Sequence, residues 1–215
     1  MPNFIFYSWQ ILLFRIVCSI FYSDVKLFTR LVNCYKLLKL ECIIIKRSEF
    51  IETLKNSYEY YYDVSYPETE GHLPLEFYAE FKSRGEAYFL FKTAKLWAME
   101  SNEYVYVYSM PHMDEETVLK CLDFSIKDGY SKVKPHSEHR DSGFIVVFVA
   151  DSFSEAALKL IKRKKEYKSF KFGLHGWVNL KTAGIEPESK KIVTNRLGGS
   201  LKKHFKTILL RSEKA

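Results

Sequence analysis

Cysteine, glycine and proline are all scarce in this chain: four, nine and six in 215 residues. Four cysteines cannot build a disulfide scaffold at this length. So few glycines and prolines exclude collagen-like repeats and long linkers. The chain also lacks Gly-x-Gly-x-x-Gly, Gly-x-x-x-x-Gly-Lys-Ser/Thr and Gly-x-Ser-x-Gly. A Rossmann turn, a P-loop and a serine-hydrolase elbow therefore have no support. No internal repeat or low-complexity stretch is present. Apolar and aromatic residues are plentiful, at 47% and 16%. That is too apolar for a disordered chain and enough for a substantial core.

Charge is unevenly spread. Residues 1–45 hold five basic and two acidic side chains, residues 46–158 hold 12 and 20, and residues 159–215 hold 16 and 4. The net +7 thus conceals an acidic middle and a basic last quarter. One reading is intramolecular, with opposite fields packing together. The other is a basic face that meets a polyanion, either nucleic acid or an acidic protein partner.

Residues 1–45 differ from the rest. They hold Cys18, Cys34 and Cys42, no glycine and no sustained apolar period. Phe4 to Tyr22 has the length of a membrane span of roughly 20 residues. Gln10 and Arg15 interrupt it, and a central Arg costs about 2.5–3.5 kcal/mol on insertion scales. A signal peptide lacks both its basic start and its small-x-small site. Three readings stand: a membrane anchor, a helix on the core, or a translated leader foreign to the fold. Lys46 to Glu52 then reads as a bacterial N-terminus opening a helix.

Residues 46–215 read as one domain. Ser48 caps a helix over 49–62, with Glu49 and Glu52 in its first turn. Leu75 to Lys82 alternates as a half-buried strand, Ser83 to Glu86 turns, Tyr88 to Trp97 returns, and Tyr104 to Tyr108 alternates again. Pro111 to Asp114 opens a helix striped by Val118, Leu119, Leu122 and Ile126, which Gly129 ends. Phe144 to Ala150 is apolar throughout, as a central strand covered on both faces must be. Ser152 or Ser154 caps the next helix, Trp177 to Gly184 and Lys191 to Asn195 form a hairpin, and Gly198-Gly199 precedes a last amphipathic helix. The expected class is α+β or α/β: a single mixed sheet packed by helices, built from a three-stranded meander, a central strand and a C-terminal hairpin.

Lys134-Pro135-His136-Ser137-Glu138-His139, the strand ending at Asp151, and Phe172 to Trp177 through Val193-Thr194-Asn195-Arg196 resemble a family of uncharacterised proteins from gut clostridia and their relatives. The likeness covers roughly residues 46–210. It implies a bacterial cytosolic protein and carries no catalytic residues with it.

The candidate pocket comprises His136, Glu138, His139, Asp151, His175 and Arg196. Two histidines three apart beside a carboxylate offer zinc-type ligands, yet without Cys partners or a helical His-Glu-x-x-His frame they assign no metal. Asp151 ends the central strand, where acids converge in open α/β sheets. Gly173-Leu-His175-Gly176 allows close backbone approach, and Arg196 precedes a helix N-terminus suited to an anion. Glu80-Phe81-Lys82 fits the acid-x-Lys pair of restriction-type nucleases, but that pattern occurs four times in the chain. Cys121 sits on an apolar helix stripe as a small buried thiol. Lys162, Arg163, Lys164, Lys165, Lys168 and Lys171, with Tyr167, Phe170 and Phe172 interleaved, form the polyanion candidate. The expected function is a non-catalytic binding domain in the cytoplasm, the alternative a metal- or phosphate-dependent enzyme at the sheet edge. The cofactor is left open, and membrane attachment would run through residues 4–22.

Overall fold

The structure is a computed structural model that describes residues 47–66, 73–88 and 95–212. Its centre is the apolar run Phe144 to Ala150, buried on both faces. In chain order the elements are α1 (Arg47–Glu59), β1 (Asp63–Ser65), β2 (Leu75–Tyr88), β3 (Lys95–Met113), α2 (Glu115–Lys132), β4 (His139–Phe153), α3 (Glu155–Arg163), β5 (Tyr167–Ser169), β6 (Trp177–Glu186), β7 (Lys191–Thr194) and α4 (Gly199–Ser212). Short 3-10 turns fall at Lys171–Gly173 and Arg196–Gly198.

One seven-stranded sheet runs β1-β2-β3-β4-β6-β5, with β7 also paired to β6. β3, β4 and β6 are parallel, and the remaining pairings are antiparallel. Parallel neighbours need helical crossovers, and crossovers of one hand put α2 and α3 on the same face. Alternation along the strands then divides the core. Ile145, Val147 and Val149 pack with Phe50 and Leu54 of α1 and Phe205 of α4. Phe144, Val146 and Phe148 pack with Val118 and Leu122 of α2 and Ile161 of α3. This is the α+β arrangement expected from sequence.

The starts of α2 and α3 follow side-chain chemistry, whereas α1 begins at Arg47, so Ser48 lies inside it rather than at its cap. Asp114 accepts a 2.8 Å bond from Thr117 N, and Ser154 one of 3.1 Å from Ala157 N, each taking up an otherwise orphaned donor.

The meander is present, but its strands lie elsewhere than expected. Ser83 to Glu86 is not a turn; β2 runs through it to Tyr88. Lys95 to Met113 is one strand of 19 residues that also takes in Pro111 and His112. Beyond the helices this hairpin arm is held by polar cross-strand pairs such as Arg84 opposite Glu100, so its polarity does not end it. Gly129 does not end α2, which continues to Lys132. A Cβ there would stand 2.8 Å from the Phe144 ring, so the glycine serves close packing. The return strand expected at 88–97 falls partly, and the segment 1–45 wholly, outside the described residues. Among the described residues, no helix is long and apolar enough to cross a membrane.

Asn195 closes a gap in the sheet edge. β5 pairs with β6 at residues 177–179 and β7 pairs with it at 183–186. Between them, buried Asn195 acts as a one-residue strand. Its Oδ1 accepts from Thr182 N (3.2 Å) and Gly198 N (2.9 Å), and its Nδ2 donates to Leu180 O (2.8 Å) and Lys164 O (3.2 Å).

Candidate functional site

At the start of the parallel strands a groove of about 610 Å³ opens on the α2 face. Alternation on β2 and β3 points Glu80, Lys82 and Arg84, and Glu100, Asn102 and Tyr104, toward this face, and the end of α2 with the segment after it adds Lys132, Lys134 and His136. Most of its charges are paired. Arg84 bonds Glu100, and reaches Glu138 at 2.8 Å. Lys82 meets Glu80 at 2.5 Å. Lys132 meets Asp128 at 2.5 Å and sits 3.8 Å above the Tyr78 ring.

His136 lies in this groove with both ring nitrogens in use. Its Nδ1 accepts from Glu138 N at 3.2 Å, so its proton is on Nε2, which meets Glu100 Oε2 at 2.9 Å. A neutral imidazole has one donor and one acceptor, and both are spent. The same holds for His139, which is 4% exposed. Its Nδ1 donates to His175 O at 2.8 Å, and its Nε2 faces Ser142 Oγ at 2.9 Å. His175 therefore joins the cluster through its backbone carbonyl. Gly176 makes that approach possible: with φ +77, a Cβ would lie 2.5 Å from both Arg140 O and His139 Nδ1.

The sequence-derived pocket does not assemble as a unit. His136, Glu138, His139 and His175 gather at the start of β4. Asp151 stands at its far end, 12 residues on, or roughly 40 Å at about 3.3 Å per residue. There Arg47 Nε meets Asp151 at 3.1 Å and Arg47 Nη1 meets Ser109 Oγ at 2.6 Å. The helix after it is capped by Ser154 rather than by Asp151 or Ser152. Arg196 is exposed in the turn before α4. Among the described residues, no group of three or more His, Cys, Asp or Glu side chains is placed to hold a metal ion. Glu80 and Lys82, the acid-x-Lys pair, neutralise each other. Cys121 is buried, and desolvation pushes its thiol up to about 12, which keeps it protonated and unreactive.

The basic segment is arranged differently. Lys162, Arg163, Lys165, Lys168 and Lys171 are exposed. Among the described residues, Lys164 alone of this run reaches a carboxylate, Asp123 at 3.4 Å, and Lys168 lies over the Tyr130 and Phe170 rings at 5.3 and 5.5 Å. Among the described residues, direct ion pairs thus leave most of these cations without a carboxylate.

The segment ends in a loop, residues 170–176, that contains Gly173-Leu-His175-Gly176. Gly173 and Gly176 both have positive φ, and so do Lys171 and Phe172, at 45° and 56°. Phe172 is 103% exposed, Leu174 76% and Tyr167 67%. The loop is self-bonded: Phe170 N to Gly176 O and Gly173 N to Phe170 O at 2.9 Å, Leu174 N to Lys171 O at 3.1 Å, and His175 N to Phe170 O and Gly176 N to Gly173 O at 3.2 Å. Phe170 anchors it against the α2-side core. The two glycines three apart were the available sequence signal. Nothing in the sequence marked Phe172 for the left-handed region, which bulky residues avoid.

Residues 46–207 match a protein-family model described as Domain of unknown function (DUF8052). No curated protein and no solved structure matches the chain.

Proposed function

The chain belongs to this DUF8052 family, and we propose that it is a non-catalytic binding domain whose basic segment, residues 162–171, meets a polyanion in a bacterial cytoplasm. The observation that carries this reading is the run of exposed cations at Lys162, Arg163, Lys165 and Lys171, which meet no carboxylate among the described residues. Unpaired cations repel one another, and an approaching chain of anionic groups relieves that repulsion while releasing its own counterions. The binding reading is also favoured over a metal- or phosphate-dependent enzyme because His136 and His139 have no ring nitrogen to spare. A general base needs a free lone pair within reach of substrate.

Salt dependence tests the reading. With the five exposed cations each neutralising a phosphate of poly(rU), the log of the affinity is expected to fall against log salt with a slope of roughly −3 to −4. A flat salt response, or no binding at low salt either to poly(rU) or to another polyanion such as an anionic vesicle, would remove the polyanion.

A further inference from the structure

We infer that the polyanion is the surface of an anionic lipid bilayer, and that the 170–176 loop docks there with Phe172 and Leu174 entering the interface. This rests on the polyanion reading above. Phe172 is fully exposed and holds a left-handed backbone at φ 56. The left-handed backbone costs stability, and the ring, exposed in the folded and unfolded chain alike, returns none within the domain, as expected of a residue kept for an external contact. The presentation is rigid, because five of the loop's N–H groups bond inside it and Phe170 pins its base.

The chemistry of the tip selects the partner. A single-stranded nucleic acid would be met by flat rings, and Leu174 offers no π-face. Tyr167, the other exposed ring of the basic segment, lies on β5 and outside the loop. A bilayer interface accepts aromatic and aliphatic side chains alike. Backbone entering it must satisfy its own N–H groups, as most of this loop does. Lys171 adjoins the apolar tip and Lys168 precedes it, placing cations where anionic headgroups lie. The contact is peripheral and uses no spanning helix.

The test uses the full chain, so that any contribution of Phe4 to Tyr22 is constant. Co-sedimentation with vesicles of phosphatidylglycerol and phosphatidylcholine, and of phosphatidylcholine alone, runs beside binding to poly(rU). Anionic vesicles are expected to capture the protein in a salt-dependent way. Phe172→Ser is expected to lower that partition about tenfold or more, while Phe172→Trp retains it. Poly(rU) binding should be unchanged in both variants, and thermal unfolding of Phe172→Ser unchanged or raised, since the ring supports no packing. Equal vesicle partition of Phe172→Ser and the native chain would overturn the inference. So would a parallel loss of poly(rU) binding, which would make base stacking the role of Phe172. Binding to poly(rU) without binding to vesicles would end the bilayer inference and leave the polyanion reading standing; binding to neither would end both.

Discussion

An Asn195→Ala variant is expected to lose roughly 3–5 kcal/mol of stability, measured by urea unfolding followed by circular dichroism. The side chain serves Thr182 N, Gly198 N, Leu180 O and Lys164 O, which belong to β6, the turn before α4 and the end of α3. Each buried backbone group left without a partner costs about 1–3 kcal/mol, reduced where water can enter at the sheet edge. Total stabilities of about 5–15 kcal/mol make such a loss close to unfolding for a marginal domain. Asn195→Asp should recover little, because an oxygen would replace Nδ2 against two carbonyls. A loss below about 1 kcal/mol for the alanine variant would mean that water substitutes for the amide and that the edge does not need it.

Gly176→Ala is expected to cost about 2–4 kcal/mol, with Gly173→Ala as its internal control. Both glycines have positive φ, at 77° and 92°. A Cβ on Gly176 would meet the carbonyls of Arg140 and His139 at 2.5 and 2.6 Å, whereas one on Gly173 meets nothing within 4 Å. Gly173→Ala therefore carries only the conformational penalty, about 1–2 kcal/mol. A melting-temperature fall clearly larger for Gly176→Ala supports the packing of the loop base on β4. Equal falls would leave the backbone conformation as the sole cost at both sites.

What could be read in the sequence was what local chemistry decides. Phe144 to Ala150 reads as a doubly covered strand because seven consecutive apolar side chains leave no wet face. Val118 and Leu122 mark the buried stripe of α2, where the structure puts them. Cys121 reads as a buried thiol for the same reason. The misreadings came from contacts distant along the chain. Ser83 to Glu86 resembles a turn until Arg84 finds Glu100, 16 residues on, and Glu138, 54 residues on. Gly129 resembles a helix stop until the Phe144 ring is set against it. Asp151 and His139 fall on one strand, but its length separates its two ends. Asn195 gave no sign of its role, since its partners span β6, α3 and the turn before α4.

The most direct test of the account compares two triple charge reversals of equal net charge. One changes Lys162, Lys165 and Lys171 to Glu; the other changes Lys202, Lys203 and Lys206, equally exposed on α4. Poly(rU) affinity at low salt is expected to fall roughly a hundredfold for the first set and less than about threefold for the second, because contacts to phosphate act within about a Debye length. Equal losses from the two sets would contradict the account, since they would trace binding to overall charge rather than to the segment that runs from the end of α3 into the loop.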